Sequence, residues 1–209
     1  MGEHYFASRP GAASRTRTVD LVLPDLHLRL ETDRGVFSPD RIDPGTRILL
    51  ETAPPPPAEG ALLDLGCGYG PIALALARRA PRAQVYGVDV NERALDLARR
   101  NATAAGLDGV RFAPPQQIDP GIRFAAIWSN PPIRIGKAAL HELLLTWLDR
   151  LAPQGRAHLV VQKHLGSDSL QRWLNEQGFR TERLTSRSSY RVLAVDARTR
   201  PTGTGENPA

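Results

Sequence analysis

The residues best suited to chemistry stand at Asn130-Pro131-Pro132-Ile133. Two consecutive prolines hold the chain extended and supply no amide hydrogens, so nearby carbonyls stay free to accept. Asn130 adds a side-chain oxygen that accepts and a nitrogen that donates. An exocyclic amine conjugated to a ring or carbonyl is a poor nucleophile, because its lone pair is delocalised. If Asn130 Oδ1 and the Pro131 carbonyl take its hydrogens, the nitrogen becomes tetrahedral and its lone pair is released. That chemistry needs positioning and electrostatics rather than a strong base.

A second chemical signal is Asp64-Leu65-Gly66-Cys67-Gly68-Tyr69-Gly70, between an apolar run and an alanine-rich one. Glycines there allow a sharp turn and close approach of backbone to a ligand. A dinucleotide pyrophosphate calls for Gly-x-Gly-x-x-Gly, whereas Gly66, Gly68 and Gly70 are spaced Gly-x-Gly-x-Gly. Asp64 would repel a phosphate but suits a ligand bearing an ammonium group. Asp89 follows 25 positions later, at the tip of the apolar run Val85-Tyr86-Gly87-Val88. A carboxylate there can accept both hydroxyls of a ribose. Cys67 reads as a small filler, since no activating base accompanies it.

These residues need strand tips to hold them, and the patterning supplies the strands. Strands at 61–65, 84–89, 110–113, 124–129 and 157–161 alternate with helices at 71–79, 92–105, 138–151 and 170–177. Segments 180–184 and 190–195 pair as a closing antiparallel hairpin. Such alternation predicts an α/β fold with a doubly wound, mostly parallel sheet. Ahead of it, Val19, Leu21 and Leu23 alternate, then Leu26, Leu28 and Leu30, across a Pro24-Asp25 turn. That is a β-hairpin. A helix over 40–52 begins near Ser38-Pro39, and Pro54 to Pro57 form a stiff connector. The parts expected are an N-terminal arm, hairpin and helix over 1–57, a catalytic domain over 58–198, and a disordered tail over 199–209.

Of 209 residues 41% are hydrophobic, enough for one ordinary domain with a proper core. The net charge of +5 favours polyanionic partners. The single cysteine excludes an intrachain disulfide and a Cys-rich zinc site, so no metal is expected. The chain shows no leader and no membrane span, which predicts a cytoplasmic protein. Arg134 and Lys137 follow the Asn-Pro-Pro segment and Lys163 follows the fifth strand. With Arg9, Arg15 and Arg17 they form candidate phosphate contacts around the site.

The segment from Asp64 to Gly70 together with Asp89 resembles the cofactor site of class I S-adenosylmethionine-dependent methyltransferases. Asn130 to Ile133 resembles their Asn-Pro-Pro-aromatic/aliphatic motif for planar nitrogens. With Gly35-Val36-Phe37-Ser38, Asp43 and Gly45, the likeness narrows to the small-domain methyltransferases typified by the 16S ribosomal RNA guanine-N2 enzymes, of which this chain has the catalytic half. The resemblance implies a seven-stranded Rossmann-like methyltransferase sheet with the hairpin as an N-terminal extension. It implies S-adenosylmethionine beside Phe37 and Ser38, with Asp43 assisting its amino-acid end. Gly66, Cys67, Gly68, Gly70, Asp64, Asp89, Val90 and Asn130 complete that site. Catalysis falls to Asn130, Pro131, Pro132 and Ile133, and Gln116 or Gln117 contacts the adenine. The implied partner is ribosomal RNA or the small ribosomal subunit. A glutamine-N5 protein methyltransferase and a non-enzymatic methyltransferase shell are the alternatives. An Asn130→Asp variant is expected to keep more activity than Asn130→Ala, because an acceptor survives.

Overall fold

The computed structural model describes residues 15–198. The Arg9 candidate and the 199–209 tail therefore lie outside the described residues.

Strands β1 (Arg17–Leu23) and β2 (Leu26–Thr32) pair antiparallel in continuous register, from Arg17 opposite Thr32 to Leu23 opposite Leu26. Alternation buries Val19, Leu21, Leu23, Leu28 and Leu30 on one face, as the sequence period requires. Two polar anchors tie this hairpin down. Asn101 accepts from the Glu31 amide at 2.7 Å and donates to the carbonyls of Glu31 and Tyr69 at 2.8 and 2.9 Å. Arg79 donates to both Asp25 oxygens, at 2.7 and 2.9 Å, and to the Leu50 carbonyl at 2.9 Å.

Helix α1 spans Pro44–Thr52, so it starts four residues later than the sequence suggested. Asp43 is its N-cap, accepting from the Thr46 amide at 3.0 Å, and Pro44 opens the first turn. Ser38 and Pro39 belong to the preceding loop. There Ser38 takes a positive φ of 52° and its hydroxyl donates to the Arg41 carbonyl at 2.6 Å.

The remaining elements are β3 (Ala61–Leu65), α2 (Pro71–Arg79), β4 (Gln84–Val88), α3 (Glu92–Ala104), β5 (Arg111–Ala113), β6 (Phe124–Ser129), α4 (Lys137–Leu148), β7 (Leu151–Gln162), α5 (Ser167–Glu176), β8 (Thr181–Arg187) and β9 (Tyr190–Asp196). Strands β3 to β9 form one seven-stranded sheet in the order β5-β4-β3-β6-β7-β9-β8. Its first five members run parallel, and β9 is antiparallel to both β7 and β8. The winding direction reverses between β3 and β6, and a crevice opens at such a switch point.

The boundary between α4 and β7 differs from expectation. Helix α4 ends at Leu148, and β7 begins at Leu151, well before Ala157. Pro153-Gln154-Gly155, between the expected helix and strand, lies within β7 as an irregularity. Gln154 has φ 66°, and the pairing with β6 shifts register between Phe124 and Ala126. A Cβ at Gly155 would sit 2.9 Å from the carbonyl oxygens of Ala152 and Phe124, so the strand passes only because that residue is glycine.

Apolar side chains fill both faces of the sheet. Leu21 of the hairpin, Leu49 of α1, Leu74 of α2 and Leu97 of α3 belong to one cluster, and Leu144, Leu159, Leu174 and Phe179 to the other. The hairpin is thus part of the packing that holds the glycine-rich turn. Asn101→Ala strands buried backbone groups of Glu31 and Tyr69, and should lower the unfolding free energy by about 1–3 kcal/mol. Urea denaturation measures this, and a stability equal to the parent's would show that the anchor is dispensable.

Candidate active site

Gly66, Cys67 and Gly70 are where the chain turns from β3 into α2. The Gly66 and Cys67 amides both donate to the Val88 carbonyl, at 2.8 and 2.9 Å, which folds the turn over the tip of β4. Gly66, Gly68 and Gly70 all have positive φ, of 75°, 55° and 95°. Such angles disfavour residues with a Cβ, which favours glycine at these three positions. Asp89 then fastens the turn. One of its oxygens accepts from the Gly68 amide at 2.8 Å and the other from the Asn91 amide at 2.9 Å. Burial raises its carboxyl above the ordinary value, while the Asn91, Gly68 and Val90 amides oppose that shift. Each oxygen of a carboxylate has a second acceptor position, so both remain able to bind a hydroxyl.

The turn and the Asn-Pro-Pro segment are joined directly. Leu65 lies opposite Ser129 in the β3–β6 pairing, and the Ser129 hydroxyl donates to the Leu65 carbonyl at 2.7 Å. Just beyond, Asn130 Nδ2 donates to Asp43 Oδ1 at 2.7 Å and to Thr46 Oγ1 at 3.1 Å. A carboxylate only accepts, so the amide nitrogen, not the oxygen, must face Asp43. Both hydrogens of Asn130 are thereby used, and Oδ1 is left for a further partner.

Pro131 corrects the sequence reading in one respect. Its carbonyl is not free, because it accepts from the Ile133 amide at 2.8 Å across Pro132, which has φ −74° and ψ 70°. That is a tight inverse turn. One lone pair of the Pro131 oxygen stays available. Ile133 starts a short 3-10 turn through Ile135 and packs partly against the cluster that holds Leu144 and Leu159.

A cavity of about 380 Å³ opens over these tips. Phe37, Ser38, Asp43, Gly66, Gly68, Asp89 and Val90 line it, with Asn130, Pro131, Pro132 and Ile133. Among the described residues four large apolar side chains are left exposed, Val22, Phe37, Val90 and Leu165, and three stand on its wall, which suits the space to flat apolar surfaces. The 35–38 loop is held there by Asn91 Nδ2, which donates to the Gly35 carbonyl at 2.8 Å.

Three expected contacts lie behind the wall. Cys67 and Gly70 are buried, and burial pushes the Cys67 thiol up, away from reactivity. Asp64 is completely buried, with Oδ2 accepting from the Ala73 amide at 2.9 Å. Its position is that of a prop under the turn. Neither Gln116 nor Gln117 lines the cavity; Pro115 takes that place, since 115–117 turns as a short 3-10 segment. Of the basic candidates among the described residues only Arg134 reaches the wall. Lys137 and Lys163 are exposed beyond it, at the start of α4 and after β7. Arg17 is paired with Asp40, and the Arg15 amide donates to Asp33. The sequence reading missed Gln162, Leu165 and Tyr190, all on the wall. Only their place at strand tips could have indicated them.

Among the described residues no cluster of three metal-binding side chains occurs, and no helix is long and apolar enough to cross a membrane.

A doubly wound sheet in this strand order, with its glycine turn and Asn-Pro-Pro segment on either side of the switch point, defines a class I S-adenosylmethionine-dependent methyltransferase. More particularly, the chain belongs to the methyltransferase small domain family, whose model matches residues 27–194. It is 36% identical over 172 residues to the uncharacterized protein YbxB of Bacillus subtilis, covering 81% of this chain and 86% of that one. It is 36% identical over 162 residues to ribosomal RNA small subunit methyltransferase C of Aeromonas hydrophila, covering 76% of this chain and 46% of that protein. The chain thus spans about half the length of the methyltransferase C relatives it matches. Among solved structures, the T. thermophilus 16S rRNA N2 G1207 methyltransferase in complex with AdoMet and guanosine superposes with a TM-score of 0.75. That match has 26% identity over 88% of this chain and 51% of that one.

The Asp64 prop carries a pH prediction. Burial, with Asp89 nearby, pushes its carboxyl from 3.8 up to about 8, against the Ala73 hydrogen bond. Between these values the folded state holds a proton that the unfolded state has released. The stability this group contributes is complete below about pH 4 and is lost as pH rises through about 8. Urea unfolding of the ligand-free protein should therefore show a steeper loss from pH 5 to 8 in the parent than in Asp64→Asn. Equal slopes would place the carboxyl in an ordinary environment.

Proposed function

We propose that this protein transfers a methyl group from S-adenosylmethionine to the N2 amine of a guanine in 16S ribosomal RNA. The observation that carries the reading is the Asn130 amide, whose two hydrogens are committed to Asp43 and Thr46 while its oxygen is left to accept.

The cavity fits the cofactor by its own features. Gly66 and Gly68 let the turn lie close to a ligand, and Asp89 retains an acceptor position on each oxygen for ribose hydroxyls. Val90 and Pro115 offer apolar surface to a purine, with Phe37 and Ser38 on the same wall. When bound, S-adenosylmethionine supplies a methyl group on a positively charged sulfur. This chain's residues position and polarise the acceptor. Asn130 Oδ1 takes one hydrogen of the amine, and the remaining lone pair of the Pro131 carbonyl takes the other. The nitrogen then leaves planarity and turns its lone pair toward the cofactor half of the cavity. Charge developing on the amine meets two fixed oxygens that need no reorganisation. The methylated nitrogen then releases one proton to water to become the neutral secondary amine. Arg134, with Lys137 and Lys163 farther out, serves as a phosphate contact that positions RNA without reading sequence. The named activities of the methyltransferase C relatives and of the guanosine-bound T. thermophilus enzyme support the choice of substrate.

Asn130→Ala should leave cofactor affinity near the parent's and lower single-turnover methyl transfer at least a hundredfold, on the scale of about 2.7–4 kcal/mol for one lost preorganised partner. The structure revises the expectation for Asn130→Asp. A second carboxylate 2.7 Å from Asp43 meets a like charge, so this variant should fare no better than alanine. Nucleoside mass spectrometry after reaction with small ribosomal subunits and with free 16S RNA identifies the product. N2-methylguanosine supports the proposal, whereas label on adenosine, ribose or protein glutamine refutes it.

A further inference from the structure

Five strand tips meet the cavity in spatial order: β4 with Asp89, β3 with Gly66, β6 with Asn130, β7 with Gln162, and β9 with Tyr190. Neighbouring strands stand about 4.8 Å apart. Asn130 therefore divides a cofactor side from a side that the cofactor reading leaves unexplained. On that second side the polar groups are Gln162 and Tyr190, opposite each other in the β7–β9 pairing. Gln162 Nε2 donates to the Tyr190 hydroxyl at 2.7 Å.

With Nε2 so placed, the pair presents two further groups. The amide nitrogen is turned toward Tyr190, so Gln162 Oε1 is turned away from it and remains an acceptor. The Tyr190 oxygen receives a hydrogen, and its own hydrogen remains a donor. The pair thus carries one outward acceptor and one outward donor, side by side. Tyr190 is also held rigidly. A Cβ placed on Gly45 would lie 2.7 Å from Tyr190 Cε1 and 2.9 Å from Asp43 Oδ1, so the ring rests on the bare first turn of α1. The turn that aims Asn130 also braces Tyr190.

We propose that Gln162 and Tyr190 select the target base, with Gln162 Oε1 accepting the N1 hydrogen of guanine and the Tyr190 hydroxyl donating to its O6. The assignment rests on the guanine-N2 reading above and extends it to two residues. With the N2 amine on Asn130, the guanine edge continues to N1–H and then O6, a donor followed by an acceptor. This matches the order Asn130, Gln162, Tyr190 along the strand tips. An adenine presenting its N6 amine to Asn130 continues to N1 and C2–H. It offers no hydrogen to Gln162 Oε1 and leaves that acceptor unpaired beneath the bound base, a costly mismatch. Leu165, exposed on the same wall just after β7, offers an apolar contact for the ring.

The test uses 2-aminopurine, which keeps the N2 amine but has neither the N1 hydrogen nor O6. The position methylated in 16S RNA is mapped, and RNA assembled by splint ligation carries guanine or 2-aminopurine there. Parent, Tyr190→Phe and Gln162→Met are compared by kcat/KM on both, and by cofactor affinity. The parent should prefer guanine at least a hundredfold. Each variant should lower that preference about tenfold by losing rate on guanine alone, with cofactor affinity unchanged. Variants that keep the parental preference, or that lose both substrates equally, overturn the assignment while the guanine-N2 reading stands. A parent that methylates no guanine amine removes the reading and the assignment together.

Discussion

The Asp43 carboxylate sits where three demands meet. It caps α1 through the Thr46 amide, it accepts from Asn130 Nδ2, and it stands on the cavity wall. Its contribution is directional. Because the carboxylate accepts and cannot donate, it forces the orientation of an amide that would otherwise be free to rotate by half a turn. Thr46 takes the second hydrogen, so the constraint is complete. The late start of α1 follows from the same residue, since an N-cap must stand outside the helix it caps.

The sheet makes this local device useful. Reversal of winding between β3 and β6 puts the glycine turn on one side of Asn130 and the β7 and β9 tips on the other. The Ser129–Leu65 hydrogen bond holds the two halves in register at the point where they meet. Behind the turn lie Asp64, Cys67 and Gly70, all buried. Gly87 permits that closeness, for a Cβ there would come within 2.4 Å of the Phe112 ring and 3.2 Å of Cys67 Sγ. Much of what a motif search treats as ligand contact is therefore the scaffolding that lets a smaller number of atoms face the ligand.

Sequence and structure agree where periodicity decides. The hairpin alternates over its whole length, and β3 to β6 each end where apolar runs meet turn residues. Agreement fails where tertiary contacts override local signals. Pro153-Gln154-Gly155 has the composition of a loop, yet the pairing of β6 with β7 carries it inside a strand. Ser38-Pro39 looks like a helix start, but Asp43-Pro44 provides the cap and the first-turn proline together. Asn130 was legible from its neighbours, whereas the bond that orients it joins residues 87 positions apart. Gln162 and Tyr190 were invisible for the same reason. Neither belongs to a motif, and they become meaningful only when β7 and β9 pair.

The claim that Asp43 acts through Asn130 is open to a double-mutant cycle on single-turnover methyl transfer at saturating cofactor, using Asp43→Ala, Asn130→Ala and the double variant. Residues that work as one unit are not additive. The account predicts that Asp43→Ala slows the parent severalfold or more, yet costs almost nothing once Asn130 is alanine. Equal losses in both backgrounds would mean that Asp43 serves the reaction independently, and that the orientation of the Asn130 amide is set by something else.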